Sequence, residues 1–255
     1  MSSGKRFWQA TRDACLHSIA EMRPDEPALR QDPRMRWLAA GVCACAALAI
    51  ASAPWALATP ALNFVFKPLA TLCVIGYAAG RGVPGGAGAT ARRWVLVGLW
   101  LSLAGDVALL WPKEGFLPGL VSFLLAHLAY LVAFTRHQRF GAWWPAFAAY
   151  ALVAGAILWR LWPGVPAALQ APVVAYVLCL ASMAAQAAVL WRRGEPRGGV
   201  LAIGGALFVA SDALLATNRF AGPLPLASLW ILTTYWAAQC CIASWLVPRA
   251  SAGRA

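Results

Sequence analysis

Long apolar runs recur along almost the whole chain, and short stretches rich in polar residues, proline or glycine separate them. Eight of these runs come close to the roughly 20 residues that a helix needs to cross a membrane. They predict helices over about 36–54, 61–79, 93–111, 116–135, 143–161, 167–190, 199–217 and 225–247. Tryptophans fall near the predicted ends, as in an aromatic belt: Trp37, Trp94, Trp111, Trp143, Trp144, Trp162 and Trp191. The pattern predicts an all-α, polytopic membrane protein whose residues 36–247 form one bundle of eight transmembrane helices.

Two polar segments flank this bundle. Residues 1–35 form an arm of mixed charge, and residues 248–255 form a short tail. Phe7, Trp8 and Leu16 belong to a weak apolar stripe in the arm, which fits an interfacial helix on the cytoplasmic membrane surface as well as a disordered leader. The arm contains no unbroken apolar core of the kind found in signal peptides. We therefore expect the first span to insert as an uncleaved anchor.

Basic residues collect in alternate connections. Most of the 21 lysines and arginines lie in the arm, the tail and the connections that follow helices 2, 4 and 6. The connections on the opposite side hold Lys113, Arg160 and Arg219. Because cytoplasmic loops of membrane proteins are enriched in basic residues, this asymmetry predicts that both termini are cytoplasmic.

Composition narrows the class of protein further. The chain is 61% hydrophobic and 12% charged, which leaves too few polar residues to coat a soluble domain. A net charge of +12 would fit a nucleic-acid partner, but the charge lies in membrane connections and forms no folded basic surface. We expect the bilayer and its lipids as partners, and no nucleic acid; the oligomeric state stays open. The seven cysteines form no C-x-x-C pair, and no metal or cofactor site is predicted.

Two acidic residues interrupt the apolar runs. The other seven of the nine acids lie in the arm or in connections, whereas Asp106 and Asp212 lie inside predicted helices 3 and 7. A charge in the middle of a membrane helix costs about 2.5–3.5 kcal/mol, so it should face the bundle interior and have a function. Both helices run outward, and both aspartates lie about 5 Å outside the bilayer centre. Lys67 in helix 2 lies at a similar depth, which predicts one shared pocket. Pro68 beside it predicts a local break in helix 2.

The two aspartate segments are partly alike. The likeness pairs Gly105-Asp106-Val107-Ala108-Leu109-Leu110 with Ser211-Asp212-Ala213-Leu214-Leu215-Ala216. Helices 3 and 7 are each the third of a group of four and run in the same direction, which favours a four-plus-four parallel repeat. Such a repeat would bring the two aspartates to face each other near its axis.

Several polar side chains lie on or beside the same helices. They are His127 and Tyr130 on helix 4, Tyr176 on helix 6, Asn218 and Arg219 at the outer end of helix 7, and Tyr235 and Gln239 on helix 8. A lone histidine on an apolar face is more often a hydrogen-bonded structural residue than a chemical group, and Arg219 suits either interfacial anchoring or a lipid phosphate. No nucleophile elbow, H-E-x-x-H motif or glycine-rich phosphate loop occurs in a suitable context. Ser102, Ser211 and His127 leave Ser-His-Asp acyl transfer open, although their spacing does not favour it.

Taken together, these motifs resemble the YhhN family of membrane lysoplasmalogenases. The resemblance covers about residues 37–247 and rests on Lys67-Pro68, Gly105-Asp106, Phe116-x-x-Gly119-x-x-x-Phe123-x-x-x-His127-x-x-Tyr130, Ser211-Asp212, Asn218-Arg219-Phe220 and Tyr235-Trp236-x-x-Gln239. It implies an eight-helix hydrolase that cleaves the vinyl ether bond of lysoplasmalogens and releases a fatty aldehyde and a glycerophospho-alcohol. It also implies that Asp106 and Asp212 are the family's two intramembrane aspartates. We expect an integral protein of a bacterial plasma membrane. Because many bacteria make no plasmalogens, a bacterial member of the family need not share the substrate of the animal members.

Vinyl ether hydrolysis fits a pair of carboxylates. An acid protonates the enol-ether carbon, and water then captures the oxocarbenium-like cation, a division of labour similar to that of a glycosidase pair. We expect one aspartate to donate the proton, the other to stabilise the cation and activate water, and Lys67 to keep that second aspartate ionised. The sequence leaves open which aspartate has which role. The remaining polar residues, His127, Tyr130, Tyr176, Asn218, Arg219, Tyr235 and Gln239, are expected to bind the lipid.

Two other interpretations of the same residues stay open. Intramembrane acids, a lysine and a parallel repeat are also features of proton-coupled transporters and lipid flippases. In a purely structural membrane protein, the acids would pair with Lys67 and do no chemistry.

Overall fold

The computed structural model describes residues 33–53, 56–81, 86–111 and 113–246. Most of the N-terminal arm and all of the C-terminal tail lie outside the described residues, so the expectations for them stay predictions. The chain divides into two units, Met1–Arg36 and Trp37–Ala255. The first is described only from residue 33, and the second contains the site.

The described part of the chain is all helical. Within the described residues, eight α-helices and one 3₁₀ turn, Trp162–Gly164, follow one another. The α-helices are α1 (Pro33–Ala51), α2 (Pro60–Ala79), α3 (Gly86–Ala108), α4 (Phe116–Thr135), α5 (Trp144–Leu161), α6 (Ala167–Arg192), α7 (Gly198–Phe220) and α8 (Ala227–Trp245). Each corresponds to one of the apolar runs, so the all-α class predicted from the sequence is confirmed.

Six of these helices are long and apolar enough to cross a membrane, namely α1, α2, α4, α5 with its 3₁₀ turn, α6 and α7. The other two, α3 and α8, contain the buried polar residues Ser102, Asp106 and Gln239. Large apolar side chains also face outward, and Trp159 on α5 is 82% exposed. A soluble protein rarely exposes so much apolar surface, and these features together indicate an integral membrane protein.

The bounds of two helices differ from the sequence prediction in informative ways. Helix α3 begins at Gly86 rather than near 93, and Arg92 in its added turns donates hydrogen bonds to the carbonyls of Ala79 and Arg81. Helix α2 is continuous through Pro68, so the expected break is wrong. A proline removes one hydrogen-bond donor from the ladder, and the neighbouring turns, packed on α3 and α8, keep the helix intact.

Packing between the helices follows a regular scheme. Helix α3 packs on α4, and α7 packs on α8; α2 packs on both α3 and α8, while α6 packs on both α7 and α4. Small residues allow the closest approaches, since Gly98 faces the ring of Tyr130 and Gly105 faces the ring of Phe123. The helices that carry the predicted site, α2, α3, α4, α6, α7 and α8, therefore surround one interior.

Candidate active site

Asp106 is held by three helices. Its carboxylate lies on α3 and is 1% exposed. Atom Oδ2 accepts hydrogen bonds from the Thr71 hydroxyl of α2 at 2.6 Å and from the Tyr235 hydroxyl of α8 at 2.8 Å. The Nζ atom of Lys67 lies 3.6 Å from Oδ1 and donates to the backbone carbonyl of Asp106 at 3.3 Å. The sequence prediction that Lys67 and an aspartate share a pocket is therefore confirmed for Asp106.

A second layer of hydrogen bonds orients these donors. The Trp236 indole donates to the Thr71 hydroxyl at 3.2 Å, and the Gln239 amide donates to the Tyr235 hydroxyl at 3.2 Å. Tyr130 in turn donates to Gln239 Oε1 at 2.7 Å. All these side chains are buried, so the network fixes the donors that face the carboxylate.

Asp212 lies on α7 in a sparser polar environment. Its Oδ2 accepts a hydrogen bond from the Tyr176 hydroxyl of α6 at 2.5 Å. The Nε2 atom of His127 on α4 lies 4.0 Å from the same oxygen, too far for a hydrogen bond. The Asp212 side chain is 13% exposed, more than that of Asp106.

His127 is an unusual buried residue. It is fully buried, and neither ring nitrogen has a hydrogen-bond partner among the described residues. The ring meets Phe208 and Tyr176 edge-on, with centroids 4.6 and 5.3 Å apart. His127 therefore differs from the hydrogen-bonded structural histidine that the sequence favours. Its ring has no hydrogen-bond partner among the described residues, and its Nε2 edge faces Asp212.

Both aspartates line one polar cavity of about 290 Å³. Lys67, Tyr235, Asn218 and Arg219 line it too, together with Asn63, Ser211 and Ser228. The prediction that Asp106 and Asp212 share a cavity is confirmed as geometry. Within the described part of the chain, no three His, Cys, Asp or Glu side chains come together as metal ligands.

The C-terminal end of α7 forms one mouth of this cavity. Asn218 Oδ1 accepts the backbone N–H of Leu224 at 2.9 Å, which fixes the connection to α8. The Arg219 guanidinium lies over the Phe116 ring at 4.8 Å. Asn63 Oδ1, across the cavity, is buried without a partner among the described residues. This end of the cavity therefore contains one cation, Arg219, and one hydrogen-bond acceptor without a partner among the described residues, Asn63 Oδ1.

An apolar cavity of about 100 Å³ adjoins the polar one. Side chains of α4, α5, α6 and α7 line it, among them Tyr150, Ile157, Val173, Tyr176 and Leu180. Five residues line both cavities: Leu109, Phe116, Phe123, Asp212 and Leu215. Asp212 therefore lies at the junction of a polar and an apolar space, whereas Asp106 lines the polar space.

The other predicted site residues divide into two groups. Tyr235, Asn218 and Arg219 line the polar cavity, and Tyr176 lines the apolar one. His127, Tyr130 and Gln239 line neither, although all three are buried nearby: His127 packs against Tyr176, Gln239 donates to Tyr235, and Tyr130 donates to Gln239. These three expected lipid-binding residues are placed behind the cavity wall. Thr71 and Trp236 were not predicted as site residues, although Thr71 follows Lys67 by one helical turn on the same face.

Comparison with known proteins agrees with this architecture. The YhhN family model matches residues 62–246, which is most of the chain and includes every residue of the two cavities. The chain belongs to the YhhN family.

Several relatives of this YhhN protein have names that state an activity. The chain is 42% identical over 166 residues to lysoplasmalogenase TMEM86B of Sus scrofa. This match covers 62% of this chain and 65% of the relative. It is 40% identical over 139 residues to the Homo sapiens protein of the same name, and this match covers 54% of this chain and 56% of the relative. A lysoplasmalogenase of Mycobacterium tuberculosis is 32% identical over 144 residues, 51% of each chain. These matches span less than two thirds of each of the three relatives, and no solved structure matches the chain.

Proposed function

We propose that this YhhN protein is a membrane hydrolase that cleaves the vinyl ether bond of a lysoplasmalogen-like lysophospholipid. The products are a fatty aldehyde and a glycerophospho-alcohol. Family membership and the activity named in its relatives support the reaction class. The observation that carries the proposal is the pair of buried carboxylates, Asp106 and Asp212, on the wall of one cavity that shares lining residues with an apolar cavity.

The two adjoining cavities, one apolar and one polar, suit the apolar chain and the polar head group of a single-chain lipid. An alkenyl chain fits the apolar cavity between α5, α6 and α7, and a phosphate-bearing head group fits the polar cavity. Arg219 is the cation that would pair with the phosphate there, and Asn218 holds the neighbouring connection. The ether linkage, which lies between chain and head group, would then sit beside Asp212.

The two carboxylates suit the chemistry without any cofactor. One aspartic acid protonates the vinyl ether carbon, and the other, as a carboxylate, stabilises the oxocarbenium ion and activates water. Two carboxyl groups in one low-dielectric cavity favour opposite protonation states because two negative charges there repel each other. The Lys67 ammonium, 3.6 Å from Asp106, supports the ionised state of one of them.

We further propose that all eight helices span the membrane with both termini in the cytoplasm of a bacterial cell. Helices α3 and α8 complete the bundle, and their polar residues face its interior. The packing scheme supports a four-plus-four repeat: Asp106 of α3 contacts α2 and α8, and Asp212 of α7 contacts α6 and lies near α4. Thr71 and Tyr176 then occupy equivalent positions, as do Tyr235 and His127.

A proton-coupled transporter or flippase is the second candidate. The buried Lys67–Asp106 ion pair and the unpaired His127 are groups that proton relays also use. A transporter, however, needs two compartments, whereas a hydrolase works on a lipid in a detergent micelle.

The deciding experiment uses the full chain purified in detergent. It is incubated with a 1-alkenyl lysophosphoethanolamine, and fatty aldehyde is measured by mass spectrometry. The saturated 1-alkyl analogue is the control because it lacks the enol-ether carbon that accepts the proton. We expect aldehyde from the alkenyl lipid alone. Intact alkenyl lipid, combined with lipid movement across vesicles that hold the protein, would favour the transporter.

A further inference from the structure

The two aspartates differ in how many donors surround them. Asp106 accepts two hydroxyl hydrogen bonds and lies beside the Lys67 ammonium. Among the described residues, the Asp212 carboxylate accepts a hydrogen bond from Tyr176 alone. Donors and a cation stabilise a carboxylate, so Asp106, although more deeply buried, has more groups around it that can hold an ionised carboxylate than Asp212 has.

The aspartates also differ in their position along the two cavities. Asp212 lines both the apolar and the polar cavity, whereas Asp106 lines the polar cavity together with Arg219. A lipid whose chain fills the apolar cavity and whose head group fills the polar one therefore passes Asp212 where the two cavities adjoin, and the cavity with Asp106 on its wall lies on the head-group side.

Vinyl ether hydrolysis also distinguishes the chain side of the bond from its head-group side. In the linkage O–CH=CH–R, the carbon that accepts the proton is the one on the chain side. Positive charge then develops on the ether oxygen and its adjacent carbon, on the head-group side, and water attacks that adjacent carbon. The proton donor belongs on the chain side and the stabilising carboxylate on the head-group side.

We propose that Asp212 is the proton donor and that Asp106 is the carboxylate that stabilises the cation and activates water. This assignment rests on the proposed function. Asp212 gives its proton to the chain-side carbon and becomes a carboxylate. Asp106 takes a proton from the attacking water, and a hemiacetal forms. The hemiacetal hydroxyl then returns a proton to Asp212 while Asp106 passes its proton to the glycerol oxygen, which leaves as the alcohol. Both aspartates regain their starting states, and one water is consumed.

His127 gains a role in this cycle as a positioning residue. When Asp212 has lost its proton, its carboxylate needs donors in a buried site. Tyr176 already donates to it, and His127 Nε2 lies 4.0 Å away with no other partner among the described residues. A small approach of the two side chains makes the imidazole N–H the second donor. His127 thus serves Asp212 as Tyr235 serves Asp106.

A cationic lipid analogue tests the assignment at equilibrium. The probe is a lysophospholipid in which a protonated secondary amine replaces the ether oxygen, and the uncharged 1-alkyl ether lipid is the matched control. We expect Asp106→Asn to weaken binding of the amine at least tenfold and Asp212→Asn to change it less than threefold. Binding of the ether lipid stays within threefold in both variants. A larger loss in Asp212→Asn, or equal losses in the two variants, would overturn the assignment.

Chemical rescue supplies a second measurement that does not depend on the isosteric variants. In Asp106→Gly, azide enters the vacated space and captures the oxocarbenium carbon, which yields a 1-azidoalkyl ether lipid detectable by mass spectrometry. In Asp212→Gly, no cation forms, so azide has no effect. Azide rescue of Asp212→Gly, or of neither variant, contradicts the assignment. If the wild-type protein cleaves no alkenyl lipid, the proposed function fails instead, and the amine-binding result still reports which aspartate is ionised.

The role of His127 has its own readout. We expect His127→Leu to lower kcat at least tenfold, with KM and amine binding unchanged within threefold, because the substrate and the cation are held elsewhere. His127→Gln, whose amide donates from a similar position, recovers at least a third of the lost kcat on a logarithmic scale. A change confined to KM, or no recovery with glutamine in a folded variant, would exclude the positioning role.

Discussion

Lys67 and Asp106 form an ion pair inside the helix bundle, with 3.6 Å between the lysine Nζ and the carboxylate Oδ1. Both side chains are buried, and they come from adjacent helices, α2 and α3. An ion pair at this place is costly to build, because both charges leave water, and costly to break, because the remaining charge then lacks a partner. The pair is therefore weak evidence for stability, and it is consistent with the catalytic role proposed for this part of the bundle.

Removing the lysine tests that pair. Lys67→Met leaves Asp106 with its two hydroxyl donors but without a cation, and loss of one partner of a buried pair costs about 3–5 kcal/mol. We expect a lower thermal unfolding midpoint in detergent and at least a tenfold lower kcat. Lys113→Met, at an exposed lysine, is the matched control and leaves both unchanged. An unchanged midpoint in Lys67→Met would show that the pair contributes no net stability.

The hydrogen-bond chain behind Asp106 predicts a gradient of effects. Tyr235 donates directly to the carboxylate, whereas Tyr130 reaches it through Gln239 and Tyr235. A hydrogen bond to a charged group contributes about 1.5–3 kcal/mol, so Tyr235→Phe should lower kcat by about tenfold to a hundredfold. Tyr130→Phe should lower it less than fivefold. Steady-state kinetics on the alkenyl lipid measure both, and an equal loss in the two variants would contradict the order of the chain.

Close packing of α3 on α4 predicts a strong effect of one methyl group. A Cβ at Gly98 would overlap the ring of Tyr130, so the ring or one of the two helices must move. Overpacking of this kind costs about 1–3 kcal/mol, and we expect Gly98→Ala to lower the unfolding midpoint. A Cβ at Gly155 on α5 would have no neighbouring atom within 4 Å, so Gly155→Ala should keep or raise the midpoint. Similar midpoints for the two variants would contradict this packing.

Arg219 predicts how the head group is recognised. It is the arginine that lines the polar cavity, and a charge-assisted pair with a phosphate contributes about 1.5–3 kcal/mol. Arg219→Gln should raise KM about tenfold for an alkenyl lysophospholipid and leave KM for a phosphate-free 1-alkenylglycerol unchanged. Arg160→Gln, at an exposed arginine that lines neither cavity, should change neither value. Equal effects of Arg219→Gln on both lipids would exclude the phosphate contact.

Much of the fold could be predicted from the sequence because membrane helices appear in a sequence as long apolar runs. The runs located all eight described helices, and the charges inside them indicated that Lys67, Asp106 and Asp212 share one cavity. The start of α3 could not be found in this way, since glycines, alanines and Arg92 extend it beyond the apolar run. Its extension depends on carbonyls of the preceding connection, which a local pattern does not contain.

The environment of each aspartate could not be predicted from the same pattern. Spacing along one helix indicates a shared face, as it does for Lys67 and Thr71, but not which side chain of a distant helix meets it. Tyr130 and Gln239 were therefore expected to touch the lipid, and the structure places them one hydrogen bond or more behind Tyr235. The sequences of the helices likewise do not show which aspartate pairs with Lys67, because that pairing depends on how the helices pack.

The most direct test of the shared mechanism compares Asp106→Asn, Asp212→Asn and the double variant in aldehyde release from an alkenyl lysophospholipid. Size-exclusion profiles and unfolding midpoints establish that each variant is folded. If the two aspartates act on one bond in one cavity, each single substitution lowers kcat by about 10²–10⁴-fold, and the double variant is no more than threefold slower than the slower single variant. An active Asp106→Asn or Asp212→Asn enzyme, or a double variant whose loss equals the product of the two single losses, would contradict the shared mechanism.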